Sequence, residues 1–219
     1  MPTKIEQDDS PQKVYIIDDE SNLRTSLLNF FDSVQIDAVG FGSAEEFLVT
    51  AEQGSAGCIL LDIQMPDMTG LELQKELTRR NNPMPIIFIT GNANVSISVS
   101  AMKAGAFDFL LKPFNSQAVV ASINRAMEFD RIARVKKAEE NKIRQRFCRL
   151  TPREMEVWEF VSQGLMNKQI AFEMSISEIM VKLHRGRMMK KMNAKSVVDV
   201  VRMFDRLATR GGKVTSLHS

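Results

Sequence analysis

The chain has 219 residues, 44% of them apolar and 26% charged, which suits a globular protein with a core and two domains better than one. No run approaches the roughly 20 apolar residues of a bilayer span, and the polar, acidic start from Met1 to Pro11 does not read as a signal peptide. Cys58 and Cys148 sit far apart and His184 and His218 are the only histidines, so free thiols are expected rather than a disulfide or a His/Cys zinc site.

The net charge of +2 hides a division. Residues 1–130 carry 9 Lys and Arg against 18 Asp and Glu, a net of −9. Residues 131–219 carry 20 against 9, a net of +11. Such asymmetry implies an acidic domain joined to a basic one that meets a polyanion, and nucleic acid is favoured over a merely solvated charge run.

In chain order, Val14-Tyr15-Ile16-Ile17 runs into Asp18-Asp19. Such an apolar run reads as a strand buried on both faces. A helix from Ser21 places Leu23, Leu27, Phe31 and Val34 on one face, and a weaker strand follows at Ala38 to Phe41. Ser43 with Glu46 predicts a capping box for a second helix. Cys58-Ile59-Leu60-Leu61 runs into Asp62, then Met65-Pro66. A third helix follows Thr69-Gly70, carries Leu71, Leu73 and Leu77, and stops at Asn81-Asn82-Pro83. Ile86-Ile87-Phe88-Ile89 stops at Thr90, a fourth helix covers about Val95 to Ala104, and Phe109-Leu110-Leu111 stops at Lys112-Pro113. A fifth helix begins near Asn115-Ser116 with Val119, Val120, Ile123 and Met127 inward. Alternating strands and helices predict a five-stranded, parallel, doubly wound α/β sheet.

No Pro or Gly interrupts residues 116–151, so the fifth helix can continue through the charged segment Arg131 to Arg149, as a loose coiled coil or a solvated helix. Thr151-Pro152-Arg153-Glu154 restarts a helix with an N-cap, a proline in the first turn and a capping box. Three further short helices follow, from Asn167, after Ser177 and around Val197 to Phe204, which makes a small four-helix all-α module.

Ligands of an open α/β sheet collect at the carboxyl ends of its strands. Asp18, Asp19, Asp62, Thr90 and Lys112 therefore converge on one edge. Clustered carboxylates repel unless a cation joins them, Mg²⁺ suits a few carboxylates plus phosphate oxygens, and the lone Asp62 can serve as a nucleophile. One Asp after a strand is usually a turn or cap residue; five polar residues at strand ends are not explained that way.

These residues, Asp18-Asp19, Asp62-x-x-Met65-Pro66-x-x-x-Gly70, Thr90 and Lys112-Pro113, resemble the receiver domain of two-component response regulators, a flavodoxin-like fold. The resemblance implies that Asp62 is the phosphoacceptor. It implies Mg²⁺ held by Asp19 and Asp62 directly, by Asp18 through water and by the backbone of Gln64. Thr90 and Phe109 become a switch pair, Lys112 contacts a phosphoryl oxygen, and the Lys112–Pro113 bond is cis. Gln64 and Asn92 stand where FixJ-like relatives often carry Arg and His, which suggests that these amides set the lifetime of the phosphoryl group. The segment Gly91-Asn92-Ala93-Asn94 departs from the relatives' Gly-His-Gly-Asp.

The basic half resembles the LuxR/NarL/FixJ helix-turn-helix, through Leu150-Thr151-x-Arg153-Glu154-x-x-Val157, Gly164-x-x-Asn167-Lys168-x-Ile170-Ala171, Ile176-Ser177-x-x-x-Val181-Lys182-x-His184 and Lys191-Met192. By position, Lys182, Leu183 and Gly186 lie where family members meet base edges. Thr151, Asn167, Lys168, His184, Arg185 and Arg187 are implied phosphate or framework contacts. Met180 replaces a common Thr, Trp158 a common Leu, and Gly186 stands where some relatives have Lys.

Together the resemblances imply a cytoplasmic regulator with no membrane partner, phosphorylated by a cognate histidine kinase. Once phosphorylated it is expected to form a homodimer through the Val95 to Lys112 face and to bind double-stranded DNA, with RNA polymerase as a further partner. The expected organisation is a disordered tail at 1–11, a receiver at 12–128, a helical linker at 129–149, a DNA-binding domain at 150–208 and a disordered tail at 209–219. An aspartate-dependent phosphatase is the enzyme alternative, but those hydrolases usually carry Asp-x-Asp at the nucleophile strand, whereas here the pair is adjacent and Asp62 is alone. A binder independent of phosphorylation is the other.

Overall fold

The computed structural model describes residues 11–51, 55–91 and 95–208. Within them the chain separates into two compact units at Val135/Lys136. In the first, strands β1 (Lys13–Ile17), β2 (Ala38–Phe41), β3 (Gly57–Asp62), β4 (Ile86–Thr90) and β5 (Asp108–Leu111) alternate with helices α1 (Ser21–Ser33), α2 (Ala44–Thr50), α3 (Gly70–Arg79), α4 (Val95–Lys103) and α5 (Ser116–Phe147). All strand pairs are parallel, in the order β2-β1-β3-β4-β5.

Successive side chains of a strand point to opposite faces, so each apolar run feeds two cores. Val14, Ile16, Cys58, Leu60, Ile87 and Ile89 pack with Leu27 and Phe31 of α1 and with Val119, Ile123 and Ala126 of α5. Tyr15, Ile17, Ile59, Leu61 and Phe88 pack with Phe47 of α2, Leu73 and Leu77 of α3 and Ala101 of α4. Helices therefore cover both faces, as the continuous apolar runs require. Each fully buried aliphatic side chain contributes roughly 1.5–3 kcal/mol. The thiol of Cys58, buried among these residues and facing Asp130, has its pKa pushed up to about 12, and both cysteines are free.

Several local expectations change. β5 is an edge strand whose Leu111 is 47% exposed, so it is not buried on both faces as its apolar run suggested. Val34 lies past the end of α1 as its C-cap and is exposed. Ser43 caps α2 by accepting from the N–H of Glu46, but the Glu46 carboxylate takes the N–H of Gly42 instead of closing the box. A full box closes at Thr69/Glu72 on α3. Gln74 of α3 is buried and its amide nitrogen donates to the carbonyls of Ala101 and Ala104, which ties α3 to the end of α4.

α5 is a single 32-residue helix. Its last turns belong to the second unit, where Ile143 and Phe147 join Leu150, Trp158 and Met192 in one core. That unit contains α6 (Pro152–Ser162), α7 (Asn167–Glu173), α8 (Glu178–Met192) and α9 (Val197–Ala208). Trp158 is 1% exposed, lies between Phe147 and Phe204, and donates its indole N–H to the carbonyl of Val200 at 3.2 Å. It is a core residue, and its polar edge is satisfied.

At the start of α6 the Thr151/Glu154 box closes with proline in the first turn. The Glu154 carboxylate, 2% exposed, also receives Lys191 Nζ of α8 at 2.6 Å. Burial alone would raise its pKa, but the bonds from Lys191 and the Thr151 N–H outweigh that and hold it below its ordinary value of 4.5. A carboxyl depressed by folding stabilises the fold above its unfolded pKa and loses that contribution as pH falls through the folded value. Acid titration of the second unit should therefore show stability declining once pH drops below about 4.5. Glu154→Gln should flatten that decline and cost about 1–2 kcal/mol at neutral pH, measured by urea denaturation at several pH values; an unchanged pH profile in the variant would refute the assignment.

Candidate functional site

Sheet register brings the polar residues together. Ile17 pairs with Leu61 and Asp62 with Ile89, while Thr90 pairs with Leu111. Asp18, Asp62, Thr90 and Lys112 therefore occupy neighbouring steps at one carboxyl edge. The strand order reverses between β1 and β3, and ligands of this topology sit outside that switch point. Asp18 follows β1 and Asp62 ends β3.

Lys112 closes the group. Its Nζ lies 2.9 Å from Asp18 Oδ2, 2.8 Å from Asp62 Oδ2 and 3.7 Å from Glu20 Oε1, and its backbone N–H donates to the carbonyl of Thr90 at 2.8 Å. The following Lys112–Pro113 bond is cis, as the motif implied. Asp18 and Asp62 are buried, and Thr90 is 2% exposed. Asp18 is fixed further: its Oδ1 accepts from the N–H of Glu20, and Arg24 Nη1 donates to its carbonyl. Asp62 Oδ1 accepts from the N–H of Gln64 at 3.2 Å.

The electrostatics favour a second cation. Burial dominates at Asp18 and raises its pKa, against the lowering bond from Lys112. At Lys112, burial works toward a lower value, but the bonds from Asp62 and Asp18 outweigh it and the ammonium is held above its ordinary range. Carboxylate oxygens of Asp18, Glu20 and Asp62 lie within 4.8 Å of one another. Asp18, Asp62 and the exposed Glu20 outnumber the Lys112 ammonium that bridges them, an excess of carboxylate that a divalent ion would offset. The acidic pocket is thus compatible with Mg²⁺.

Glu20, not singled out from the sequence, brings a carboxylate oxygen into this cluster, although its side chain, like that of Asp19, is exposed. The signal was present in the run Asp18-Asp19-Glu20, but which of two adjacent exposed carboxylates reaches the cluster is a matter of loop geometry. Phe109 on β5 is half-buried against the core that contains Phe88. Asn92 lies outside the described residues. Gly70 also proves to be part of the site: a Cβ there would stand 2.2 Å from the carbonyl of Asp62, so only glycine lets α3 begin against the end of β3.

In the second unit, α8 divides its residues by face. Val181, Met188 and Met192 are fully buried, while Lys182, Leu183, Gly186, Arg187 and Lys190 are exposed. Lys168 and the N-cap Thr151 are also exposed, and His184 is half-buried. Arg185 and Asn167 have turned to each other, Nη1 to Oδ1 at 2.7 Å, and brace α8 against α7.

The comparisons agree with this geometry. The response regulator receiver domain matches residues 14–124, and the luxR family of bacterial regulatory proteins matches residues 149–204. Nodulation protein W of Bradyrhizobium diazoefficiens is 43% identical over 89% of this chain and 86% of its own length. The transcriptional regulatory protein FixJ of Rhizobium meliloti is 40% identical over 87% and 93% respectively. A solved structure of the response regulator StyR matches with a TM-score of 0.81 at 37% identity, covering 90% of this chain and 99% of that one. Full-length FixJ from B. japonicum matches at 36% identity and a TM-score of 0.56, over 92% and 100%.

Titration with Mg²⁺ should raise the melting temperature of the first unit progressively, approaching about 2.7 kcal/mol of added stability at a hundredfold excess over Kd. Asp62→Ala should remove most of that shift in calorimetry. An equal shift in the variant would show that the ion binds elsewhere.

Proposed function

We propose, because the chain belongs to the two-component response regulators with a receiver and a LuxR-type DNA-binding domain, that Asp62 accepts a phosphoryl group from a histidine kinase and that the phosphorylated chain dimerises on DNA to regulate transcription. A receiver implies a kinase partner and a LuxR-type domain implies DNA binding. The family is one of regulators rather than of typical enzymes. No described helix is long and apolar enough to cross a membrane. We take residues 12–128 as the receiver and 150–208 as the DNA-binding domain, a division supported by the separation of compact units at Val135/Lys136.

The observation that carries the reading is the bridge of Lys112 between Asp18 and Asp62 at the sheet's switch point. In the transfer, the P–N bond of a phosphohistidine protonated on its other ring nitrogen breaks, its electron pair returns to the ring, which leaves as neutral imidazole, and an Asp62 carboxylate oxygen forms the new P–O bond. Asp62 is fit for this because Lys112 and the Gln64 N–H fix its carboxylate in a near-attack orientation. Mg²⁺, when bound, offsets the negative charge of the phosphoryl oxygens and of the carboxylates facing them. Asp18 and Asp62 would hold it, with Glu20 or Asp19 and the Gln64 carbonyl completing the shell. Lys112 neutralises one phosphoryl oxygen and the Thr90 hydroxyl donates to another. Thr90 and Phe109 then report the modification: a hydroxyl drawn toward the phosphate vacates space beside β5, and the half-buried Phe109 ring moves inward.

Val99, Met102 and Leu111, apolar and between 45% and 47% exposed, lie on the face expected to dimerise, which supports that half of the reading. Incubation with acetyl phosphate and Mg²⁺ should label the wild type with one acid-stable, base-labile phosphoryl group and leave Asp62→Asn unlabelled. Undiminished labelling of that variant would refute Asp62 as acceptor. Gln64→Arg combined with Asn92→His should change the dephosphorylation half-life several-fold in a radiolabel chase without altering stoichiometry; an unchanged half-life would remove these amides from that role.

A further inference from the structure

A cleft opens at the end of the first unit opposite the acidic site. Pro83, Met84 and Pro85 lead into the amino end of β4, and Ala104, Gly105 and Ala106 lead toward β5. Between these segments, α3 and Phe129 of α5 lies a cavity of about 330 Å³. β4 is five residues long, which sets the cavity roughly 13 Å along the strand from the carboxyl edge where Asp62 and Lys112 meet. Its size and mixed lining are those of a small-molecule site, mostly apolar with a few placed polar groups.

The walls fit one kind of chemistry. None of the described residues lining the cleft is charged, in a chain of which 26% is charged. Leu77, Met84 and Ile86 are buried and apolar, and Phe107 adds an aromatic ring. Phe129 lies against that ring, with centroids 5.5 Å apart, yet is 54% exposed. The fold thus leaves an aromatic surface on the cleft that its own packing only half covers.

The polar member is Gln74. It is 3% exposed, and its Nε2 donates to the carbonyls of Ala101 and Ala104 at 3.4 and 3.2 Å. These two acceptors fix which end of the amide is nitrogen, because a reversed amide would set oxygen against oxygen. Oε1 is then left buried with no hydrogen-bond partner among the described residues. Thr78, one turn on, does not relieve it, since its hydroxyl donates to the main-chain carbonyl of Gln74. A buried amide oxygen without a donor is costly, and native folds keep few of them.

We propose that this cleft binds a small, uncharged aromatic molecule carrying one hydrogen-bond donor. The donor goes to Gln74 Oε1, and the ring lies against Phe107 and Phe129. Because Gln74 also holds the end of α4, occupancy reinforces the tie between α3 and α4. The site is separate from the phosphoryl-transfer reading, as every residue in it stands at the other end of the sheet.

The probe is indole, neutral and aromatic with one N–H. It is compared with 1-methylindole, which blocks that N–H, and with indole-3-carboxylate, which adds a charge. Each is titrated to millimolar concentration into the ¹⁵N-labelled full chain while amide resonances are followed. Indole should move the amides of Leu77, Gly105 and Phe107 saturably, together with the side-chain amide of Gln74. 1-Methylindole should bind about fivefold more weakly, the factor for one neutral hydrogen bond, and the carboxylate should leave these resonances in place. Gln74→Met keeps the bulk and removes the acceptor, so the ratio between indole and 1-methylindole should fall toward one. Ala104→Phe fills the cleft from an exposed position, keeps the carbonyl that Gln74 uses, and should abolish the shifts from both probes.

The absence of any saturable shift around the cleft would overturn the site. Equal affinity of indole and 1-methylindole for the wild type would leave the Gln74 oxygen to water and overturn the donor that defines the ligand. Binding of the carboxylate as tight as that of indole would overturn the uncharged class. Movement of the same resonances on raising protein concentration without a probe would give the cleft to a second copy of the chain and overturn the proposal equally. All four outcomes are read on the wild type, so they stand even if a variant fails to fold.

Discussion

Lys112 holds two buried carboxylates that would otherwise repel each other, and much of the first unit can be read as the arrangement that makes this possible. Placing one ammonium within 3 Å of both Asp18 and Asp62 requires three strands whose ends are level to within one residue. Only parallel pairing with fixed register gives that. Parallel pairing in turn requires crossover helices, and the helices require apolar runs that serve two cores at once. The alternation of Val14, Ile16, Leu60 and Ile87 toward one core with Tyr15, Ile17, Leu61 and Phe88 toward the other meets this requirement. A slip of one residue in β3 would exchange its cores and carry Asp62 away from Lys112.

The bridge does not neutralise the site. It leaves more carboxylates than the one bridging ammonium matches, and burial lifts the pKa of Asp18. A site built for stability would have been apolar at this point, because a buried ionic cluster seldom repays its desolvation. The residual charge is compatible with a divalent cation, which would offset the repulsion among these carboxylates. Two residues beyond Asp62 stands the neutral amide Gln64, where the hydrolases with Asp-x-Asp at the nucleophile strand carry a second carboxylate.

Much of this was legible in the sequence, for identifiable reasons. An apolar run ending on Asp, Thr or Lys states both a strand and its functional end, because a buried strand must be apolar and a sheet edge need not be. The division of α8 into buried Val181, Met188 and Met192 and exposed cations follows from helical spacing alone. What was not legible depends on tertiary placement. β5 has the composition of a central strand but stands at the edge. Asp19 and Glu20 are adjacent carboxylates, and only the path of the chain after β1 brings Glu20 to the cluster. Arg185 and Asn167 each suited a phosphate, but 18 residues apart in sequence they are within one hydrogen bond in space.

Two glycines show how structure and function can be told apart at residues that look alike. At Gly70 a side chain would strike the Asp62 carbonyl, so the fold itself demands glycine, and the site depends on it because α3 starts against the end of β3. At Gly186 a side chain would meet nothing, so the fold gains nothing from glycine and gives up helix stability to have it. At the middle of the exposed face of α8, between Leu183 and Lys190, the helix thus omits a side chain that its own packing would have tolerated. Since Glu154, Trp158 and the Arg185–Asn167 pair already secure the buried side and flank of this unit, the exposed midline of α8 is relieved of structural duty.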